Sequence, residues 1–464
     1  MTAHSNIYPT KALQELDAAH HWHPFSDMKS LNEEGSRIIT SADGVWLTDS
    51  DGKKILDGMA GLWCVQVGHG RSEITDAVTK QMNELAYYNT FFKTTHPPAI
   101  ALSEKLAKLA PDHMNSVFYC SSGSEANDTV FRMVRTYWDK MGKPDKKIII
   151  GRWNGYHGST LAGTSLGGMK GMHDQGDLPV PGVHHIDQPY WFGEGQDMST
   201  EEFGIHAARK LEQAIDALGD DKVAAFIAEP IQGAGGVIIP PETYWPEIKR
   251  ILDERDILFV SDEVICGFGR LSEWFGSTRY GLKPDLMPIA KGLTSGYLPM
   301  GGVLVSDRVV DGLMNAGDDF NHGYTYSGHP VCAAAALANL EIIEREGLVD
   351  RVKNDIGPYL KERWLKLGEH ELVGEARMVG LMGALELVPD KTNLTKPFSD
   401  VGVAGTLCRD VSFEHGMVMR AVRDSMIISP PLVLSYEEAD HMVATAEKTL
   451  NDTYRILKRD GWTG

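Results

Sequence analysis

A pattern repeated through the middle of the chain constrains the fold more than any other feature. Short apolar runs rich in β-branched residues stop abruptly at small and polar residues, and an amphipathic helical pattern follows each of them. Four runs are SVFYCSSGSEAND (116–128), KIIIGRWNGYHG (147–158), VAAFIAEPIQGAGG (223–236) and ILFVSDEVICGFGR (257–270). Such alternation is typical of βα units, so we predict an α/β fold built on a large, mostly parallel sheet covered by helices.

The two ends of the chain differ from its middle. VWLTDSDGKKILDG (45–58) predicts a β-hairpin around an Asp-Gly turn, and beyond about residue 335 helices alternate with short strands. We therefore predict a large central domain and a smaller α+β domain that is assembled from both chain ends. The predicted boundaries are 1–60 and 336–464 for the small domain and 61–335 for the large one.

The composition excludes several classes of partner. The formal charge of −19 at pH 7 repels phosphate groups and anionic lipids, so we expect neither nucleic acid nor a membrane as a partner. The five cysteines are scattered without a C-x-x-C pair, which is typical of reduced thiols in the cytoplasm. No signal sequence and no apolar run of about 18 residues is found. We expect a cytoplasmic protein that acts on small molecules.

A lysine and an aspartate are the first candidates for chemistry. Ligands of open α/β sheets bind beyond the carboxyl ends of the strands. Asp262 follows ILFVS, and Lys291 follows LMPIA and precedes a glycine. An aspartate in this position also commonly caps a turn, but a lysine is rarely buried without a partner or a function. A lysine near a carboxylate in low dielectric stays neutral enough to condense with an aldehyde, which indicates pyridoxal phosphate.

Two further segments offer the other parts of such a site. Ser122, Gly123 and Ser124 lie where a helix begins, and the free N–H groups and dipole of a helix start favour a phosphate. An ordinary helix cap has the same sequence pattern. Tyr156, in NGYHG, and Val264 offer two surfaces against which a flat ring can pack. None of these features is diagnostic alone.

Metal and nucleotide sites are disfavoured. Histidines cluster in AHHWHPF (His20, His21, His23) and at His184 and His185, but these clusters lack the cysteine or H-E-x-x-H companion typical of zinc sites. We therefore predict no metal. GAGG (233–236) lacks the G-x-G-x-x-G form of a dinucleotide loop, and the chain has no Walker A sequence.

Taken together, the motifs resemble those of the class III pyridoxal-phosphate aminotransferases of fold type I. The motifs FIAEPIQGAGG, LFVSDEVICGFGR, IAKGLTSGYLPMGG and HGYTYSGHP occur in that order and spacing. HPF, AGLWCVQVGHG, YYNTFFKTTHP and MIISPPL extend the resemblance to the amine:pyruvate (omega-) transaminase branch, and it covers nearly the whole chain.

The resemblance implies a role for each residue of the cofactor site. Lys291 would bind the cofactor aldehyde as a Schiff base and move the substrate proton, and Asp262 would keep the ring nitrogen protonated. The partner subunit of a homodimer, or of a tetramer, would supply Thr325. The other implied cofactor contacts are Ser122, Gly123 and Ser124 at the phosphate, Tyr156 and Val264 at the ring, Glu229 in the network around Asp262, and His157 and Tyr324.

The resemblance also implies the substrates. An amino group would pass from a primary amine or omega-amino acid to a keto acid, with pyruvate giving alanine, in a ping-pong reaction. Arg420, in GMVMRAV, matches the arginine that binds the keto-acid carboxylate, and Arg423 is an alternative for that role. The other implied pocket residues are Phe25, Leu62, Trp63, Phe91 of the partner subunit, Tyr156 and Ala234, although Leu62 and Phe91 are equally plausible in a core.

Three alternatives to amine:pyruvate transfer remain open at the level of sequence. Within the same fold they are a 2-oxoglutarate-dependent omega-amino-acid aminotransferase and an aminomutase. An inactive scaffold protein is the third, although the intact set of Lys291, Asp262 and Ser124 argues against it.

Overall fold

The computed structural model describes residues 9–463 of the chain. Residues 1–8 and Gly464 lie outside the described residues. The first eight residues belong to the predicted 1–60 segment and to the N-terminal stretch in which we expect no signal sequence. Among the helices of residues 9–463, none combines the length and the apolar character that crossing a lipid bilayer requires.

Helices surround three sheets in the described part of the chain. The strands are β1 Ile39–Asp43, β2 Trp46–Asp49, β3 Lys54–Leu56, β4 Ser116–Cys120, β5 Ile148–Arg152, β6 Val183–Ile186, β7 Val223–Ala228, β8 Leu258–Ser261, β9 Leu286–Ile289, β10 Gly301–Val305, β11 Val373–Val379, β12 Met382–Leu387, β13 Arg420–Val422 and β14 Ser425–Ile428. The α-helices are α1 Thr10–His20, α2 Met28–Glu34, α3 Ala60–Trp63, α4 Ser72–Glu84, α5 Pro97–Leu109, α6 Gly123–Lys140, α7 Leu161–Leu166, α8 Lys170–His173, α9 Trp191–Glu194, α10 Thr200–Leu218, α11 Tyr244–Glu254, α12 Gly276–Arg279, α13 Asp307–Ala316, α14 Pro330–Arg345, α15 Leu348–Asn354, α16 Ile356–Lys366, α17 Val403–Glu414 and α18 Tyr436–Arg459. Two 3-10 helices span Lys291–Leu293 and Leu367–Glu369.

The large sheet has seven strands in the order β4-β10-β9-β8-β7-β5-β6. The neighbours from β9 to β6 are parallel, and β10 runs antiparallel to both β4 and β9. Every residue of β7 and β8 is buried, as expected for strands covered on both faces. The four predicted strand runs form β4, β5, β7 and β8 of this sheet, so the predicted α/β fold with a large, mostly parallel sheet is confirmed.

The chain ends form two smaller antiparallel sheets. One contains β1, β2 and β3, in which β2 and β3 are the predicted hairpin, and the other has the order β11-β12-β14-β13. An isolated bridge between Leu56 and Met417 brings the two ends of the chain together. The exact division at residues 60 and 335 stays a prediction.

Helix α6 is the element that most directly positions the site. Val130, Val134 and Trp138 recur along one face of the helix and are buried against the large sheet. Burial of each large apolar side chain contributes about 1.5–3 kcal/mol, so this face fixes the helix firmly. Ser122 caps its start, because the Ser122 hydroxyl accepts a hydrogen bond of 3.2 Å from the Glu125 N–H. The start of α6 is therefore held just beyond the end of β4.

Candidate active site

The segments that follow five strands of the large sheet enclose a cavity of about 400 Å³. These segments come after β4, β5, β7, β8 and β9, which is where open α/β sheets bind ligands. The lining residues are Leu62, Cys64, Ser121, Ser122, Gly123, Ser124, Asn127, Tyr156, His157, Gly158, Glu229, Asp262, Val264, Ile265, Ala290, Lys291, Thr294, Gly296, Leu298, Pro299 and Met300.

Lys291 stands immediately after β9 in an unusual backbone conformation. Its φ of +45° is in the left-handed region, which costs a residue other than glycine about 1–3 kcal/mol. The side chain is half-buried and lines the cavity. Burial lowers the pKa of the amine from its ordinary value, although the negative charge of Asp262 opposes this shift. A lysine with a lowered pKa has a larger neutral fraction and is therefore a better nucleophile.

Asp262 is buried at the end of β8, with 2% of its surface exposed. Its carboxylate accepts hydrogen bonds from His157 Nδ1 (2.7 Å), Asn127 Nδ2 (2.9 Å) and the Val264 N–H (3.0 Å). Burial acts to raise the pKa of Asp262, but the hydrogen bond and charge of His157 and the other two donors outweigh it, and the pKa is lowered. Asp262 therefore stays ionised inside the cavity.

Asn127 is a member of this network that the sequence analysis did not identify. It lies at the start of the second turn of α6 with 1% of its surface exposed. Its Nδ2 donates both to Asp262 and to the His157 carbonyl (2.8 Å). The signal in the sequence was a lone amide on the face of α6 that is otherwise apolar, because a buried amide requires hydrogen-bond partners.

Glu229 supports Asp262 indirectly. Its carboxylate accepts hydrogen bonds from the N–H groups of Tyr156 (3.1 Å) and Gly233 (2.9 Å). Burial raises the pKa of Glu229 above its ordinary value. Glu229 thus fixes the backbone segment that contains Tyr156 and His157. His157 in turn donates a hydrogen bond to Asp262.

Two loops approach each other closely at the start of α6. The Ser124 hydroxyl accepts a hydrogen bond of 3.0 Å from the Ser159 N–H. Gly158 has a φ of +131°, and a Cβ on this residue would lie 2.7 Å from Ser124 Cα, so only glycine permits this approach. The backbone of Gly123 and Ser124 lines the cavity, and the first N–H groups of a helix lack partners within it. These groups can therefore bind an anion.

The two candidate arginines face different regions. Arg420 lies on β13 close enough to Lys291 that its charge contributes to the lowered pKa of Lys291, although Arg420 does not itself line the cavity. Burial lowers the pKa of Arg420, and Tyr156 opposes this shift. Arg423 is exposed in the turn after β13 and lines a separate cavity of about 320 Å³ with Tyr190 and Glu386. Arg420 is thus the arginine near Lys291.

The predicted pocket residues of α3 and of the turn after β7 lie in different environments. Leu62 lines the cavity and is 58% exposed. Trp63, in contrast, is 1% exposed and packs in an apolar cluster with Met59 and Ile231. Ala234 is buried but is not among the residues that line the cavity.

Four other predicted site residues lie outside the cavity of the single chain. Phe91 lines a different cavity, Tyr324 donates a hydrogen bond of 3.0 Å from its hydroxyl to the Glu125 carbonyl, and Thr325 is exposed. Phe25 is 77% exposed. Phe91 and Thr325 are the residues that the resemblance assigns to the partner subunit, and that assignment stays a prediction.

The residues around the cavity fit pyridoxal phosphate. They combine an amine of lowered pKa (Lys291), a carboxylate kept ionised by three donors (Asp262) and a helix start with free N–H groups. Tyr156 and Val264 also line the cavity that these groups surround. A Cβ on Gly123 would lie 3.0 Å from Val264 Cγ1, so a larger residue would crowd this space.

Comparisons with known proteins agree with this geometry. The family model "Aminotransferase class-III" matches residues 30–450. The chain is 60% identical to a putrescine–pyruvate aminotransferase of Pseudomonas aeruginosa, over 96% of this chain and 97% of the relative. It is 42% identical to a diaminobutyrate–2-oxoglutarate transaminase of Halomonas elongata, over 99% of both chains. The crystal structure of an omega transaminase from Pseudomonas jessenii in complex with PMP has a TM-score of 0.94 at 40% identity, and the match covers 96% of this chain and 99% of the other.

Proposed function

The chain belongs to the class-III aminotransferases, and from that premise we propose that it transfers the amino group of a primary amine to pyruvate, forming alanine. The predicted family, the fold-type-I architecture and the use of pyridoxal phosphate are confirmed. The relative at 60% identity is a putrescine–pyruvate aminotransferase, which supports an aliphatic diamine as one donor. The observation that carries a keto acid as acceptor is Arg420, a half-buried guanidinium close enough to Lys291 for its charge to act on the amine, and the likeness to the putrescine–pyruvate aminotransferase supports pyruvate as that acid.

The proposal assigns a chemical role to each group around the cavity. When bound, pyridoxal phosphate supplies an electron sink for the electron pair that remains when the substrate carbon loses its proton. The amine of Lys291 would hold the cofactor, and the same amine would move the substrate proton as a general base. The Asp262 carboxylate keeps the ring nitrogen protonated. The N–H groups of Gly123 and Ser124 bind the phosphate.

Two kinds of substrate must use one site in turn. A guanidinium pairs with a carboxylate through two parallel hydrogen bonds, so Arg420 is suited to bind the carboxylate of pyruvate. In the other half-reaction the amine carries no carboxylate, and its chain packs against apolar cavity residues such as Leu62 and Met300. This division allows one cavity to accept both an amine without a carboxylate and a keto acid.

A homodimer is part of the proposal. The segments that carry Phe91 and Thr325 also expose large apolar side chains, among them Phe92 (90% exposed), Ile100 (57%) and Tyr326 (60%). Exposed apolar residues grouped in this way are typical of an interface. A second copy would bury this surface and bring Phe91 and Thr325 of one subunit toward the cavity of the other.

A panel of amine donors and acceptors tests the proposed function. We expect primary amines, including aliphatic diamines, to yield alanine from pyruvate, with kcat/KM at least about tenfold above that for 2-oxoglutarate as the acceptor. Alanine and the second product are measured by chromatography after short incubations. Transfer to 2-oxoglutarate alone, or isomerisation of an amino acid without any acceptor, would contradict the proposal and favour one of the two alternatives within the fold.

The choice between the two arginines has its own test. Arg420→Ala is expected to lower kcat/KM for pyruvate by roughly 30-fold or more, because the loss of one partner of a hydrogen-bonded charge pair costs about 2–5 kcal/mol. Single-turnover rates with pyruvate and with an apolar amine separate the half-reactions, and the amine half-reaction should be largely retained. Arg423→Ala is the matched control. If Arg423→Ala loses pyruvate turnover and Arg420→Ala does not, the assignment is wrong.

A further inference from the structure

A second cluster of chemically active side chains lies where α1 ends, and none of its members lines the cavity. His21 Nδ1 lies 3.1 Å from Asp17 Oδ1, and His23 Nε2 lies 2.8 Å from Asp17 Oδ2. One ligand atom from each of the three residues lies within 4.8 Å of the other two. We propose that Asp17, His21 and His23 form a binding site for a divalent transition-metal ion of the Zn²⁺ type.

The local fold explains why these three residues meet. Asp17 and His21 are four residues apart, so the helical turn places them on the same face. His21 leaves the helix with extended backbone angles (φ −109°, ψ 125°), and His23 then turns back, with its N–H 3.3 Å from Met28 Sδ. The two imidazole rings lie 4.1 Å apart between centroids. Both rings therefore reach the same carboxylate from different sides.

The ligands are held in place before any ion binds. The side chains of Asp17 and His23 are 18% and 23% exposed, whereas that of His21 is 61% exposed. Gln14 fixes α1 by a hydrogen bond of 2.9 Å from its Nε2 to the Ser36 carbonyl. Two ligands are thus mostly sheltered, and the open side at His21 gives an ion access and leaves room for water as a further ligand.

The chemistry of the three ligands selects the type of ion. Two imidazoles and one carboxylate are typical ligands of Zn²⁺ and its neighbours in the first transition series, whereas Ca²⁺ and Mg²⁺ prefer oxygen ligands alone. Tetrahedral coordination at bond lengths of about 2.0–2.2 Å separates ligand atoms by roughly 3.3 Å. The His21 and His23 nitrogens lie 3.1 and 2.8 Å from the two different oxygens of Asp17, so an ion would replace these two hydrogen bonds and move the ligand atoms apart by a few tenths of an ångström. Each imidazole would bind the ion through this nitrogen and carry its proton on the other one.

The proposal departs from the sequence-based prediction of no metal. That prediction looked for a cysteine or an H-E-x-x-H companion to the histidines in AHHWHPF. The carboxylate that this prediction lacked is that of Asp17, one helical turn before His21. His23 reaches the Asp17 carboxylate only because the chain turns after α1.

A bound ion would restrain the segment between α1 and α2. Residues 21–27 connect the two helices and include Phe25, which is exposed and has a φ of +51°. An ion held by Asp17 and His23 would close this segment against the end of α1. The ion would thus act structurally, by fixing this segment, and would supply no group to the reaction at Lys291.

Calorimetric titration of the tag-free holoenzyme with ZnCl₂ at neutral pH tests the site. We expect one Zn²⁺ per chain at this site, and at least about tenfold weaker binding in His21→Ala and in His23→Ala. His20→Ala is the matched control, since His20 is exposed on the same helical turn but lies outside the cluster. Ions bound elsewhere on the protein would persist in all variants, so the difference between variants isolates the site.

Hydrogen exchange provides a readout that does not depend on activity. Zn²⁺ should slow exchange across residues 21–27 in the wild-type enzyme and in His20→Ala but not in His23→Ala. The proposal is overturned if the wild type binds no Zn²⁺, if His21→Ala and His23→Ala bind it as tightly as the wild type, or if His20→Ala loses binding equally. Its failure would leave the proposed transaminase function untouched.

Discussion

Lys291→Ala is expected to abolish steady-state transamination, with a loss of about 10⁴-fold or more, and to leave the cofactor bound without a covalent bond. The variant removes both the amine that binds the aldehyde and the base that moves the substrate proton. Turnover of an amine with pyruvate measures the loss.

Borohydride reduction followed by mass spectrometry provides the decisive comparison for Lys291. Reduction should attach the cofactor to the wild-type chain and not to Lys291→Ala. Lys283→Ala is the matched control, because Lys283 is an exposed lysine just before β9 and does not line the cavity. Trapping of the cofactor on Lys291→Ala would refute the central assignment of the active site.

Asp262→Asn is expected to slow proton removal from the amine by roughly 10²–10³-fold while the cofactor still binds. Asparagine has nearly the same shape, but its one acceptor oxygen can replace only one of the two carboxylate oxygens, so it keeps the contact either with Asn127 or with the Val264 N–H. It also supplies no negative charge to hold a proton on the ring nitrogen. Single-turnover kinetics with an amine deuterated at the reacting carbon measure the step. Its isotope effect should rise in the variant, because proton transfer then limits the rate.

Glu263 offers a matched control for Asp262. It is the next residue, it is fully buried, and burial raises the pKa of its carboxyl to about 7. Its carboxylate accepts hydrogen bonds from the N–H groups of Gly276 (2.7 Å) and Ser277 (2.6 Å), and it does not line the cavity. Glu263→Gln should therefore lower thermal stability rather than slow proton removal. Equal slowing in both variants would contradict the role of Asp262.

Much of the cofactor site was predictable because it follows from one topological rule. Ser122, Tyr156, Asp262 and Lys291 each come directly after an apolar run, and parallel strands bring the ends of such runs to one edge of a sheet. Their roles stay predictions until the variants are measured, but the cavity brings all four together.

Other parts of the site depend on contacts between distant segments. Asn127 was missed because its partners, Asp262 and the His157 carbonyl, lie 135 and 30 residues away. The resemblance favoured Arg420 and left Arg423 as the alternative. A turn with a positive φ at Arg423 carries it to a different cavity.

The amino-acid sequence by itself determined the βα order, the strand-end position of Lys291 and Asp262, and the family, because periodicity and motifs are local properties of a chain. Only the tertiary structure decided that Asp262 is ionised, that Arg420 lies beside Tyr156, and that Asp17 joins His21 and His23. The physical reason is that charge state and ligand geometry depend on burial and on distances through space. These emerge only when segments far apart in the chain pack together.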